Sequence, residues 1–184
     1  NKDLANEYGK ICGNYSLWSN LTIFWGCGTN LHRSPYNARN HEYYSEDAVL
    51  TSGQAVAFIS GGKEYGVIIA PKHLAFNDTE INRTGVSVFM TEQQARENEL
   101  RGTQAAIEDA GALGVMTAFN RVGITATNAH TGLLKNILRG EWGFKGLESQ
   151  DFIMNPNYAV LKEYALNGGT MTTFTGENTM AAVS

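Results

Sequence analysis

Polar side chains capable of chemistry recur in this sequence directly after short apolar segments. Their types are complementary: cations, imidazoles, an amide and one carboxylate, with aromatic residues between them. Any one of them could be a helix cap or a solvated loop residue, but four segment ends of the same kind favour one shared site. Such a site suits a neutral, hydroxyl-rich ligand such as a sugar, because charged donors bind hydroxyl groups and aromatic rings stack on the sugar face. The candidates are His32, Arg33 and Arg39 after the first segment, Lys72 and His73 after the second, Asn120 after the third and Asp151 after the fourth.

The elements that must position these residues are helices alternating with short strands. Helices are predicted at about 3–17, from 51 to the glycine pair 61–62, from 91 to 111, at 132–138 and at 158–166, and strands at 21–30, 67–70, 115–118, before 151 and at 170–174. Capping-box patterns, Thr51 with Gln54 and Thr91 with Gln94, mark two helix starts. This alternation predicts α/β architecture with parallel strands, either a barrel or an open doubly wound sheet. Both folds place the active site at the carboxyl ends of the strands.

The length of the chain limits how much of such a fold it contains. About five strands are predicted, whereas a full eight-stranded barrel takes roughly 250 residues. No low-complexity linker divides the 184 residues. We therefore expect a single domain, residues 1–184, that is incomplete if the fold is a barrel.

Composition and charge exclude several classes of protein. A hydrophobic share of 42% with 17% charged residues is typical of a soluble globular domain. The formal net charge of −4, with no block of like charges, argues against a nucleic-acid partner. No apolar run reaches the roughly 18 residues of a membrane span, so no membrane association is predicted. The compartment stays open between cytoplasmic and secreted.

Cofactor and metal motifs are incomplete in this sequence. Residues 26–31 begin like a dinucleotide fingerprint but lack its third glycine, and residues 61–64 lack parts of a phosphate-binding loop. His41 and Glu42 begin a zinc-protease motif, yet Ser45 stands where the second histidine ligand should be. The sequence therefore predicts neither a cofactor nor a metal.

Four segments resemble motifs of family 3 glycoside hydrolases, in that family's order. Residues 28–47 resemble GLNIHRSPLNGRNFEYYSED, and residues 72–80 are similar to KHFALNDQE. Residues 116–120 resemble MTAYN, and residues 138–146 match LRGEWGFKG. The resemblance extends from about residue 20 to 152. It implies part of a TIM-like (β/α)8 barrel and a retaining, β-glucosidase-like hydrolase acting on a terminal sugar of an oligosaccharide or glycoside.

The resemblance also implies a role for individual positions. Asp151 corresponds to the nucleophile that forms a glycosyl-enzyme intermediate. An oxocarbenium-like transition state needs an ionised carboxylate below the anomeric carbon, and nearby cations keep a carboxylate charged. The substrate-binding positions implied are Arg39, Lys72 and His73 for sugar hydroxyls, Met116 and Phe119 for the pocket wall, and Phe152 beside the nucleophile. Arg39 could instead serve mainly to pair with Glu42 or Glu46.

The chain departs from the family pattern in ways that matter for function. The strand before the nucleophile is usually apolar but here carries Glu148, Ser149 and Gln150, and Phe119 replaces the more common tyrosine. Asn77 stands where the N-acetylhexosaminidase branch has a catalytic histidine, which disfavours that branch. In the β-glucosidase branch the acid/base glutamate lies in a second domain, and a sugar-binding DGP aspartate lies on an early strand.

Neither of those two elements is present in this chain. The missing strands and the second domain would come from the same polypeptide or from another copy. A non-catalytic carbohydrate-binding or structural relic of the same fold is the alternative interpretation.

Overall fold

Parallel strands form the main sheet of this protein, described here from a computed structural model that covers residues 1–152 and 161–172. The strands are β1 (Ile23–Gly28), β2 (Ile68–Leu74), β3 (Ser87–Val88), β4 (Gly114–Thr117), β5 (Arg121–Val122), β6 (Thr125–Ala126) and β7 (Leu147–Gln150). The main sheet has the order β1-β2-β4-β7, with every neighbouring pair parallel. A doubly wound sheet reverses its order at a switch point, whereas this order runs in one direction, as in a barrel. The predicted partial barrel is confirmed.

A second, small sheet was not predicted. The strand β3 pairs in parallel with β5, which pairs antiparallel with β6. These strands have two residues each and lie in the connections that leave the ends of β2 and β4. Two-residue strands carry too little periodicity to be recognised from sequence.

Helices follow the strands of the main sheet in the predicted order. They are α1 (Lys2–Trp18), α2 (Ala48–Lys63), α3 (Glu92–Gln94), the π-helical turn π1 (Ala95–Glu99), α4 (Arg101–Glu108), the π-helical segment π2 (Gly132–Glu141) and α5 (Leu161–Leu166). Small residues let α1 lie close to α2, since a Cβ at Gly9 or Gly13 would overlap the α2 backbone. None of the described helices is both long and apolar enough to cross a bilayer.

One helix start was predicted wrongly and one correctly. The helix α2 begins at Ala48, and its N-cap is Asp47, whose carboxylate accepts a hydrogen bond from the Leu50 amide. Thr51 is a buried interior residue of this helix, because the carboxylate upstream satisfies the amides and complements the helix dipole. Thr91 caps the next helix as predicted, by accepting from the Gln94 amide.

The apolar core lies where helices cover the main sheet, and it fixes the strand ends. One buried cluster includes Leu74, Val115 and Leu138, and another includes Phe58 and Ile69.

The predicted last helix is described only from residue 161 onward; residues 158–160 lie outside the described part. Of the predicted strand 170–174, the described residues contribute a single parallel bridge between Met171 and Ser149.

Candidate active site

The register of the sheet places three of the candidate positions, Lys72, Met116 and Asp151, on one face. Met116 is the neighbour of Lys72 on one side and of Ser149 on the other. Residues in register share a face, and side chains alternate along a strand, so Asp151, two residues beyond Ser149, points to that same face. The Asp151 amide donates to the Thr117 carbonyl oxygen, which extends the pairing of β7 with β4 by one residue.

Lys72 and His73 are consecutive, yet both reach the same site. The register between β2 and β4 shifts between Lys72 and Leu74, and such irregularities re-aim side chains that would otherwise alternate. His73, only 2% exposed, is held by Asn30, whose amide donates to the His73 carbonyl oxygen and whose Oδ1 accepts from the His73 amide. Asn30, which follows β1, therefore fixes the backbone at the end of β2.

The His73 imidazole lies between two oxygen acceptors. Its Nδ1 is 3.3 Å from Asn30 Oδ1, and its Nε2 is 3.4 Å from Asp151 Oδ2. Burial lowers the pKa of His73 well below its usual value, and the charges of Arg39 and Lys72 lower it further. A neutral imidazole carries one N–H, so it donates to only one of these acceptors at a time.

The Asp151 carboxyl group is partly buried, and its pKa is raised overall although several neighbours act in the opposite direction. Burial raises its pKa above the usual value; the Phe152 amide, 2.7 Å from Oδ1, and the charges of Arg83, Arg39 and Lys72 lower it. Within the described ranges, however, the three cations form their ion pairs with other carboxylates and not with Asp151. The site keeps positive charge near Asp151 without a direct ion pair.

Alternating charges link these cations in a chain, Lys72–Glu42–Arg39–Glu80–Arg83, which we call the charge chain. Lys72 Nζ is 3.1 Å from Glu42 Oε2. Arg39 binds Glu42 with two contacts, Nε to Oε1 at 3.0 Å and Nη2 to Oε2 at 2.9 Å. The other side of its guanidinium, Nη1, is 3.5 Å from Glu80 Oε1, and Arg83 Nη1 is 2.9 Å from Glu80 Oε2. Of the two alternative partners predicted for Arg39, Glu42 is the one that binds it, and the further partner in the described part of the chain is Glu80.

The predicted aromatic and apolar positions surround these charges. Phe119 is buried, and the Arg83 guanidinium carbon lies 4.2 Å from its ring centroid, a cation–π contact. Met116 is buried in the strand between β2 and β7. Phe152 is 44% exposed beside Asp151, so its ring is available to a ligand.

Other polar candidates have structural partners instead. His32 Nε2 is 2.8 Å from the Asn40 carbonyl oxygen, so this side chain holds the loop after β1. Arg33 pairs with the carboxylates of Asp78 (3.2 Å) and Glu99 (2.7 Å). Burial raises the pKa of Asp78 to about 7, helped by the nearby Glu99 charge.

Asn120 likewise serves the fold, since its amide donates to the Ala75 carbonyl oxygen. These residues fix the loops that carry the site.

Three residues of the site were missed by sequence reasoning: Asn30, Glu80 and Arg83. The first two lie inside the two motifs quoted above, so their positions gave a signal, but loop carboxylates and amides have many ordinary partners. Arg83 lies three residues past the second motif, and only the fold brings it over Phe119. The roles of all these residues remain predictions.

Comparison with known proteins places this geometry in context. The sequence profile described as "Glycosyl hydrolase family 3 N terminal domain" matches residues 1–167. A beta-glucosidase of Rhizobium radiobacter is 35% identical over 150 residues, which is 82% of this chain and 18% of that protein. Beta-glucosidase B of Emericella nidulans is 40% identical over 150 residues, with the same coverage.

Solved structures give the same picture. Beta-glucosidase 3B from Thermotoga neapolitana, in complex with glucose, matches 94% of this chain and 24% of its own, with a TM-score of 0.89 and 32% identity. The beta-glucosidase of Kluyveromyces marxianus in complex with glucose matches 100% of this chain and 22% of its own, with a TM-score of 0.92 and 28% identity. The chain thus spans about a fifth to a quarter of the length of these relatives.

Proposed function

Because this chain belongs to glycosyl hydrolase family 3, we propose that it forms part of the catalytic barrel of a retaining enzyme that hydrolyses terminal β-linked glucosyl or related residues. The observation that carries the proposal is the position of Asp151. It ends a barrel strand beside a buried imidazole, 3.4 Å from His73 Nε2, within the field of three cations that pair with other carboxylates. The cations favour the ionised form of this carboxyl group but are not bound to it, so its oxygens stay available for attack, as a nucleophile requires.

In this mechanism Asp151 attacks the anomeric carbon and forms a covalent glycosyl-enzyme intermediate, which water then hydrolyses. Arg39 and Lys72 bind hydroxyl groups of the sugar through the N–H groups that their carboxylate partners leave free, and His73 binds another hydroxyl through the ring nitrogen that lies next to Asp151. Met116 and Phe119 form the wall of the sugar pocket, and the exposed ring of Phe152 stacks on the substrate.

The stereochemistry of the reaction tests the proposed class of mechanism. A double displacement at the anomeric carbon keeps its configuration, with two carboxyl groups about 5 to 5.5 Å apart in the complete site. Proton NMR of the full-length enzyme acting on an aryl β-glucoside is expected to show β-glucose as the first product. Initial release of α-glucose would rule out Asp151 as a covalent nucleophile.

A second carboxyl group must protonate the leaving oxygen and later activate water. Near Asp151, Glu42 and Glu80 are bound to arginines, and Asp78 and Glu99 are bound to Arg33. We propose that the acid/base glutamate and the remaining barrel strands come from a second domain and further segments of the same polypeptide, or from another copy.

We therefore expect the isolated 184-residue chain to be a poor catalyst, since loss of acid–base help alone costs roughly 10²- to 10⁴-fold in rate. The measurement is turnover of aryl β-glucosides by the purified chain and by the full-length enzyme. The deficit is expected to be largest for poor leaving groups, which need protonation most. Robust turnover by the chain, dependent on one of its own carboxylates, would show that the acid/base lies within it.

The second candidate is a non-catalytic sugar-binding domain of the same fold. The polar strand Leu147–Gln150 before Asp151 favours it, because such a strand is unusual beneath a nucleophile. Full-length protein that binds glucose, by calorimetry, but does not turn over an aryl β-glucoside would establish this alternative.

A further inference from the structure

Glu42 binds two of the cations of the site, although nothing in the proposed reaction uses it directly. Its Oε1 accepts from Arg39 Nε, and its Oε2 accepts from both Arg39 Nη2 and Lys72 Nζ. Arg39 comes from the loop after β1, and Lys72 lies on β2. One carboxylate thus fixes two cations that arrive from different strands.

The pairing of Glu42 also limits which N–H groups the cations can offer to a ligand. Arg39 has five N–H donors; Glu42 takes two, and the 3.5 Å contact with Glu80 occupies a third. A planar guanidinium held on two sides has its remaining donors fixed in direction. Among the residues that the structure describes, Lys72 gives one of its three donors to Glu42, which leaves two.

Asp151 competes with Glu42 for these cations. The charges of Arg39 and Lys72 both act on Asp151, so the cations lie within electrostatic range of it. A partly buried carboxylate attracts a cation more strongly than an exposed one. An arginine or lysine bound directly to Asp151 would neutralise it and occupy the position that the anomeric carbon must reach.

We infer that Glu42 is a positioning residue that holds Arg39 and Lys72 away from the Asp151 carboxylate and directs their free N–H groups at the sugar. This inference rests on the proposed function. The groups that face Asp151 are His73, Arg39, Lys72 and Arg83. When Glu42 loses its charge, it no longer holds Arg39 and Lys72. These cations then bind Asp151 directly instead of only lying near it.

The test is Glu42→Gln in the full-length enzyme, followed by the pH profile of kcat/KM for an aryl β-glucoside. We expect the acid limb, which reports ionisation of the nucleophile in the free enzyme, to move down by about one pH unit. KM is expected to rise about tenfold or more, because the two cations lose their fixed direction. Glu42→Asp keeps the charge, so its acid limb should stay near the wild-type position.

Glu46→Gln, four residues along the same loop and exposed, is the matched control and should leave the profile unchanged. An unshifted acid limb and unchanged KM in folded Glu42→Gln enzyme, with thermal unfolding like wild type, would overturn the inference. A Glu42→Asp profile displaced as far as that of Glu42→Gln would also overturn it. Failure of the proposed function is distinguishable, because then the wild-type enzyme itself shows no turnover.

Discussion

Replacing Asp151 by asparagine in the full-length enzyme is expected to abolish turnover of an aryl β-glucoside while glucose binding stays measurable. The amide cannot form the glycosyl-enzyme bond, yet it has nearly the volume of the carboxylate. Loss of a covalent nucleophile in hydrolases lowers kcat by on the order of 10⁶-fold, so we expect a loss of at least roughly 10⁴-fold. The sugar-binding donors of Arg39, Lys72 and His73 are left in place.

Steady-state kinetics and calorimetric glucose binding, measured on the same preparation, check this expectation. Asp109→Asn, an exposed carboxylate at the end of α4, is the control and should behave as wild type. Near-normal turnover by the Asp151 variant would assign the nucleophile to another residue. Loss of glucose binding together with turnover would instead point to collapse of the site.

The second large effect concerns the buried Glu148 on β7, whose side chain lies on the face opposite Asp151. The residue is 1% exposed. The nearby hydroxyls of Tyr164 and Thr117 donate to backbone carbonyl oxygens, and in the described part of the chain neither carboxylate oxygen receives a well-aligned hydrogen bond. Burial raises the pKa of Glu148 from 4.5 to about 8, against smaller opposing effects of Tyr164, Thr117 and Arg139.

A raised pKa fixes the sign of the effect on stability. Between pH 4.5 and about 8 the folded state keeps a proton that the unfolded state releases, so the free energy of unfolding falls as pH rises through this range. Each pKa unit corresponds to about 1.4 kcal/mol, which makes the cost of Glu148 on the order of 5 kcal/mol at pH 8. Glu148→Gln removes this proton linkage and keeps the shape of the side chain.

We therefore expect Glu148→Gln to have near wild-type stability at pH 5 and to become progressively more stable than wild type up to about pH 8. Urea unfolding of both proteins, followed by tryptophan fluorescence at several pH values, measures the difference. Glu46→Gln, at an exposed position, is the control for the chemical change from glutamate to glutamine. A constant difference between the Glu148 variant and wild type from pH 5 to 8 would show that Glu148 is already ionised in the folded state.

Local patterns in the sequence were sufficient to predict the order and type of the main elements. The helices and strands of the main sheet occur near their predicted positions because each is encoded by apolar spacing within a short window. The predicted cap at Thr51 failed because Asp47, a stronger capping residue, lies just upstream. The small sheet of β3, β5 and β6 was missed because its strands are too short to show periodicity.

For the candidate site, the sequence predicted which residues take part, whereas most of their contacts were not predictable from it. The sequence alone identified Arg39, Lys72, His73 and Asp151 as polar residues at strand ends, and parallel strands necessarily bring such ends to one edge of the sheet. The sequence offered Glu42 as one of two partners for Arg39, and the tertiary structure alone decided the partners of the other charges. The charge chain through Glu42 and Glu80 and the burial of Glu148 depend on how loops distant in sequence meet and on which helix covers β7. Ion pairing and desolvation are set by distances in space, which no spacing along the chain specifies.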